Sequence, residues 1–193
     1  VCGYPPLDFL EFDDFIQRCD LAVSKIAEAC QDMAAIVGCP TRNPQLEGKN
    51  LFNSAIFIEN GRVKQFVHKT LLPNYDVFDE YRYFEPNTSF NCVEFKNKRI
   101  ALTICEDLWD IEEDKMYVRW PMEELKIQQP DLIINIAASP FSYKHAESRK
   151  RVLHQTASKN KIPVFYVNAT GAQTELIFDG GSMVLNRDGN VVC

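Results

Sequence analysis

The chain predicts an α/β layered fold, and three observations carry that reading. Residues 131–138 and 163–168 are apolar, β-branched runs of the kind found in strands buried on both faces. Between them, residues 144–159 show helical spacing, with Ala146, Val152, Leu153 and Ala157 on one face. Hairpin signals add antiparallel strands, above all Asn60-Gly61 between two apolar runs. Helix–strand alternation mixed with hairpins predicts sheets whose faces are at least partly covered by helices.

Taken in order, residues 8–36 place Phe12, Phe15, Ile16, Cys19, Leu21, Ala22, Ile26, Ala29, Cys30 and Met33 at helical spacing, predicting one long amphipathic helix. Residues 34–40 read as a short buried strand stopped by Gly38 and Pro40. Residues 51–67 form strand, Asn-Gly turn and strand. Residues 70–90, with Pro73, Asn74, Pro86 and Asn87 among aromatics, predict an ordered functional loop. A second hairpin covers 90–95 and 99–104. A charged stretch with Trp109 and Trp120 leads into a helix near 121–128, then come strand 131–138, helix 144–159 and strand 163–168. Glycine-rich turns and a final hairpin over 182–192 close the chain.

The 193 residues suit one domain, and 46% hydrophobic with 25% charged residues is a globular composition. A net charge of −6 argues against nucleic acid or an anionic membrane as partner. No apolar run reaches the roughly 20 residues that span a bilayer. The seven cysteines (Cys2, Cys19, Cys30, Cys39, Cys92, Cys105 and Cys193) lack metal-ligand spacing, so no metal site is expected. Unpaired thiols fit a reducing compartment, which points to the cytoplasm. Both ends resemble the middle of a longer protein: Val1 is not an initiator Met, and the closing hairpin stops within its second strand.

The chemistry concentrates where the apolar run ending in Leu102-Thr103-Ile104 meets Cys105-Glu106-Asp107. A thiol at a strand end can be a nucleophile if a base or positive charge favours its thiolate. Lys69 can supply charge, and backbone amides after Cys105 can hold an oxyanion. The plain alternatives are a buried strand-end cysteine and a solvated strand-end lysine. His68 invites a Cys–His dyad, but neighbouring strand residues face opposite ways, so His68 and Lys69 cannot both face Cys105. Glu80 lies among aromatics that would desolvate it, or it forms a salt bridge to Arg82 or Lys69. Ser139-Pro140-Phe141 follows a buried strand directly, at the rim where α/β sheets bind ligands. Gly180-Gly181 reads as a turn. The residues themselves reach a thiol enzyme for a small polar substrate.

Four ordered motifs extend this. The segment from Lys69-Thr70-Leu71-Leu72-Pro73 through Glu80-Tyr81-Arg82-Tyr83-Phe84, the run Ile104-Cys105-Glu106-Asp107-Leu108-Trp109, and Asn135-Ile136-Ala137-Ala138-Ser139-Pro140-Phe141 resemble the nitrilase, or carbon–nitrogen hydrolase, superfamily. With Gly3-Tyr4-Pro5-Pro6-Leu7-Asp8, they resemble more closely the glutamine amidotransferase domain of glutamine-dependent NAD synthetases. The resemblance implies a four-layer α-β-β-α sandwich, here lacking its first strand and its C-terminal end. Residues 1–193 would be that domain, truncated at both ends, with the ATP-dependent synthetase domain absent.

The resemblance implies roles as well. Cys105 would attack the glutamine amide, giving a thioester and ammonia for NAD biosynthesis. Lys69 and the amide of Glu106 would hold the oxyanion, while Glu80 would orient Lys69 or assist proton transfer. Tyr75, Trp109 and Ser139 would surround glutamine. Lys144 would meet its carboxylate, at a spacing one residue shorter than the family pattern. No cofactor is implied for this domain, ATP and Mg²⁺ belonging to the synthetase domain. Glutamine, a synthetase domain of the same parent chain and further copies in a homo-oligomer are the implied partners. The family's general base is a glutamate a few residues before Gly3, a position ahead of Val1, so this chain alone is expected to be inactive or nearly so. A stand-alone amidase for a small ω-amide and a non-catalytic assembly module are the alternative readings.

Overall fold

A computed structural model describes residues 1–109 and 117–193. Two compact units divide them, Val1–Ser89 and Phe90–Cys193. The charged stretch read from the sequence between Trp109 and Trp120 lies in part outside the described residues.

The first unit begins with a 3-10 turn, Leu7–Glu11, and helix α1, Asp13–Ala29. The single helix expected over 8–36 is therefore divided. Phe12 between the two is extended (φ −93°, ψ 119°), and Asp32 (φ 55°) precedes a strand that has already begun at Ala34. Ile16, Cys19, Val23 and Ala27, three or four residues apart, form the buried stripe of α1. Phe12, Leu21 and Met33, read as apolar-face positions, are exposed, because they lie off that stripe. Asp13 and Asp14 in the first turn suit the positive end of the helix dipole.

Strands β1 (Ala34–Arg42), β2 (Leu51–Glu59) and β3 (Arg62–His68) form an antiparallel sheet in that order. Cys19, Val23 and Ala27 of that stripe share a core with Cys30, Cys39, Ile56 and Ile58, while Ile16 packs with Leu10, Leu51, Leu72 and Phe84. β1 continues through Gly38 and Pro40, where the sequence predicted a stop. Its register with β2 is unbroken, Gly38 opposite Ala55 and Pro40 opposite Asn53. The carbonyl of Gly38 accepts from the Val1 ammonium at 2.6 Å, so it faces away from β2. Pro40, two residues on, faces the same edge, and the ladder needs no N–H from it. The β2–β3 turn is as expected, with Asn60 (φ 47°) and Gly61 (φ 78°) both left-handed. The loop that follows contains one helical turn, α2 (Glu80–Tyr83).

The second unit is a five-stranded sheet in the order β10-β7-β6-β5-β4. β4 (Val93–Phe95) and β5 (Lys98–Ile104) form the expected hairpin across left-handed Lys96 and Asn97. β5, β6 (Leu132–Ala137) and β7 (Val164–Asn168) are parallel. Helices α3 (Pro121–Ile127) and α4 (His145–Asn160) lie in the two connections, as parallel strands require. Ala101, Ile133 and Val164 of the strands pack with Leu125 of α3 and Val152, Leu153 and Ala157 of α4.

Two details of this unit differ from the sequence reading. Ala146, in the first turn of α4, is exposed, and the buried stripe is Arg149, Val152, Leu153, Thr156 and Ala157. Where glycine-rich turns were expected, β8 (Thr170–Gln173) and β9 (Leu176–Asp179) form a separate hairpin. The final hairpin forms, with amide hydrogen bonds from Val192 to Val184 and from Val184 to Cys193, and its first strand, β10 (Met183–Leu185), also joins the main sheet antiparallel to β7.

Candidate active site

In the first unit, Lys69 follows the end of β3 and is 1% exposed. Its amide donates to Asn53 and its carbonyl accepts from the Asn87 amide, which fixes the backbone on both sides. Its ammonium donates to Glu80 Oε2 at 2.6 Å, with both side chains buried. Glu80 opens α2, and its other oxygen, Oε1, accepts from the Tyr4 hydroxyl at 2.8 Å. Each carboxylate oxygen thus has a donor, the condition under which a buried charge pair is tolerated. Of the two partners the sequence left open for Glu80, Lys69 is the observed one. Tyr75 is 38% exposed, its ring edge-on to Phe78 at 5.7 Å. His68 shares a hydrogen bond between Nδ1 and Ser54 Oγ at 2.7 Å and stacks on Phe52. Burial lowers its pKa and keeps the ring neutral.

A cavity of about 400 Å³ in this unit is lined by Arg42, Lys49 and Arg82 opposite Glu11 and Asp13. Its cations are already engaged. Arg42 pairs with Asp13, Arg82 with Asp8 and Glu11, and the Lys49 ammonium sits 3.5 Å over the Tyr81 ring.

In the second unit, central strand β5 ends at Ile104 and a 3-10 turn, Cys105–Leu108, begins at once. Cys105 has φ +44°, a left-handed conformation costing a residue with a side chain about 1–2 kcal/mol. Such strain collects at functional sites, where the surroundings enforce it. Here Asp107 Oδ2 accepts from the Ile104 amide at 3.0 Å, and Asn135 Nδ2 donates to the Cys105 carbonyl at 3.3 Å. The strand-to-turn junction therefore presents the half-buried Cys105 thiol at the carboxyl end of the parallel strands β5, β6 and β7.

Glu106 and Asp107 are both buried, with Tyr117 donating to Glu106 Oε1 at 3.3 Å. The Trp109 ring lies 5.9 Å from that of His145. Ser139 follows β6 and is buried. Its amide donates to Asn168 Oδ1 at 2.8 Å, and Asn168 Nδ2 returns a bond to the Ser139 carbonyl at 3.2 Å. Lys144, immediately before α4, is exposed. Arg149 donates to Ser139 Oγ at 3.4 Å.

Three of the other thiols are poor competitors for reaction. Burial pushes Cys2 up to about 11 and raises Cys39 and Cys92 as well. The sequence reading did not single out Tyr4, Asn135, Asn168 or Arg149 as site residues. Tyr4 and Asn135 lie within the family motifs, Asn135 in the interior of β6. Asn168 ends an apolar strand, where an amide signals a polar rim. For Arg149 the only signal was the helical stripe it shares with Val152 and Leu153.

Among the described residues, no group of three metal-ligating side chains converges, and no helix is long and apolar enough to cross a membrane.

Comparison with known proteins covers the whole chain. The carbon-nitrogen hydrolase family matches residues 2–193. The glutamine-dependent NAD(+) synthetase of Synechocystis sp. is 39% identical over 199 residues, spanning 100% of this chain and 36% of the relative. That of Aquifex aeolicus is 33% identical over 194 residues, with 100% and 32% covered. The chain spans about a third of the length of the curated relatives it matches.

Among solved structures, the glutamine-dependent NAD+ synthetase of Acinetobacter baumannii superposes with a TM-score of 0.87 at 30% identity, over 99% of this chain and 34% of that one. An amidase of the nitrilase superfamily from Nesterenkonia gives 0.79 at 20% identity, over 99% and 68%. The mixed α/β fold is that of nitrilase-like structures.

Proposed function

This chain belongs to the carbon–nitrogen hydrolase family, and from that premise we propose that it is a glutaminase domain, supplying ammonia for the amidation that completes NAD. The observation that carries the proposal is the alignment of the entire chain with glutamine-dependent NAD(+) synthetases. The strained thiol of Cys105 at the carboxyl end of the parallel strands adds chemical support.

In the proposed mechanism the Cys105 thiolate attacks the side-chain amide carbon of glutamine, and the carbonyl electrons move to oxygen. The oxyanion is stabilised by the Glu106 amide and the Lys69 ammonium. Collapse breaks the C–N bond, and the nitrogen leaves as ammonia once it has been protonated. Water then attacks the γ-glutamyl thioester, releasing glutamate and the thiol. Glu80, bonded to the Lys69 ammonium and to Tyr4, holds Lys69 charged and in place. Tyr75, Trp109 and Ser139 surround glutamine, and Lys144 meets its carboxylate.

The amidation step, with its ATP and Mg²⁺, is assigned to the part of the relatives' length that this chain does not match. The partners are then glutamine, a synthetase domain of the same parent chain and further copies of that parent in a homo-oligomer. Seven cysteines that form no disulfide suit a cytoplasmic setting.

The test is Cys105→Ala in the full-length protein, assayed with each nitrogen source. Glutamine-driven NAD synthesis should vanish while ammonia-driven synthesis continues. Loss of both, or of neither, overturns the assignment.

A further inference from the structure

Arg149 is a costly residue to bury. It lies on the inner face of α4 at 2% exposure, where an aliphatic side chain would serve packing equally well. Its guanidinium reaches three separate places. Nη2 donates to Asp179 Oδ1 at 3.1 Å and to Ser139 Oγ at 3.4 Å, while Nη1 donates to the Gly180 carbonyl at 3.1 Å and to Asp179 Oδ2 at 3.4 Å. Nε has no partner among the described residues. A buried guanidinium with an unsatisfied donor and a partly solvated counter-charge is a weak stabiliser.

The chain nevertheless accommodates it closely. A Cβ on Gly181 would come within 3.0 Å of Nη1, and Gly180 and Gly181 are both left-handed (φ 67° and 69°), so the segment after β9 is shaped around the guanidinium.

We propose that Arg149 is a positioning residue that sets the polarity of the Ser139 hydroxyl. A guanidinium only donates, so at 3.4 Å it takes one of the two lone pairs of Ser139 Oγ and turns the hydroxyl proton away from itself. The Ser139 backbone cannot turn to compensate, because the Asn168 side chain holds its amide and its carbonyl together. Ser139 is thereby a fixed donor toward an acceptor oxygen of the bound substrate. This deepens the glutaminase reading and rests on it.

The test uses the full-length protein and two electrophiles that alkylate Cys105: a chloromethyl ketone analogue of glutamine, which must bind first, and iodoacetamide, which need not. Arg149→Met should raise the half-saturating concentration of the analogue about tenfold, the effect of one lost charge-assisted hydrogen bond. The iodoacetamide rate should stay within about twofold. Ser139→Ala should match Arg149→Met, and the double variant should add less than about twofold to Ser139→Ala. Arg149→Lys, which keeps the charge without the fork, should fall between; if Arg149→Met is insoluble it takes its place in the cycle. Equal slowing with both electrophiles, or multiplying effects in the double variant, overturns the role of Arg149 alone. Alkylation of the unsubstituted protein by the analogue without saturation overturns the glutaminase reading as well.

Discussion

The two units hold their candidate catalytic groups by different physics. In the first, Lys69 is held by charge: a buried ammonium, a buried carboxylate and one phenol, with little exposed surface between them. In the second, Cys105 is held by backbone: a left-handed residue where a central strand becomes a 3-10 turn, fixed by an aspartate and an asparagine that bond to main-chain atoms. A charge pair is sensitive to the loss of either partner, whereas a backbone junction shared among several hydrogen bonds degrades in steps.

That contrast is sharpest at Glu80. Glu80→Gln leaves a buried ammonium without its counter-charge and should cost about 3–5 kcal/mol, read as a lower urea midpoint at unchanged slope. Adding Lys69→Met should recover much of the loss, since an apolar replacement for both charges is far less costly than one orphan. A double variant no more stable than Glu80→Gln would break the comparison. At the junction, Asn135→Leu removes donors to Thr103 Oγ1 and the Cys105 carbonyl and should cost about 1–3 kcal/mol. It should also slow Cys105 alkylation, because φ +44° is then held by fewer bonds. Tyr4→Phe, deleting one bond to a carboxylate that keeps its ammonium, should cost about 1–2 kcal/mol.

The smallest effect is a pH dependence at His68. Its folded pKa is lowered from 6.5 by burial, so the unfolded chain takes up the proton first as pH falls. The stabilisation is complete above about 6.5 and is lost as pH drops toward the lower folded value. A melting-temperature profile flatter below pH 6.5 in His68→Gln than in the unsubstituted protein would confirm this, and parallel profiles would refute it.

Much of the architecture was legible because periodicity and turn chemistry are local. The Asn60-Gly61 hairpin and the apolar parallel strands β6 and β7 appear where their residues put them. Errors arose where tertiary context decided. Phe12 extended the helical pattern of α1 without joining its buried face, being 61% exposed. Pro40 marks a strand end only if its missing N–H faces a ladder, and here it faces the other edge. The β8–β9 hairpin turns at left-handed Thr174, with none of the Asn or Gly residues that announce such turns. Cys105 and Lys69 stood out because each ends an apolar strand. Arg149 did not, since Ser148-Arg149-Lys150-Arg151 on a polar helix reads as solvated surface.

The central claim, a covalent acyl-enzyme on Cys105, is tested most directly by trapping with hydroxylamine. The full-length protein turning over glutamine in its presence should form γ-glutamyl hydroxamate at the expense of glutamate, with ammonia release continuing, and Cys105→Ala should form none. Ammonia release without hydroxamate at saturating hydroxylamine, or hydroxamate formed by Cys105→Ala, would contradict the account.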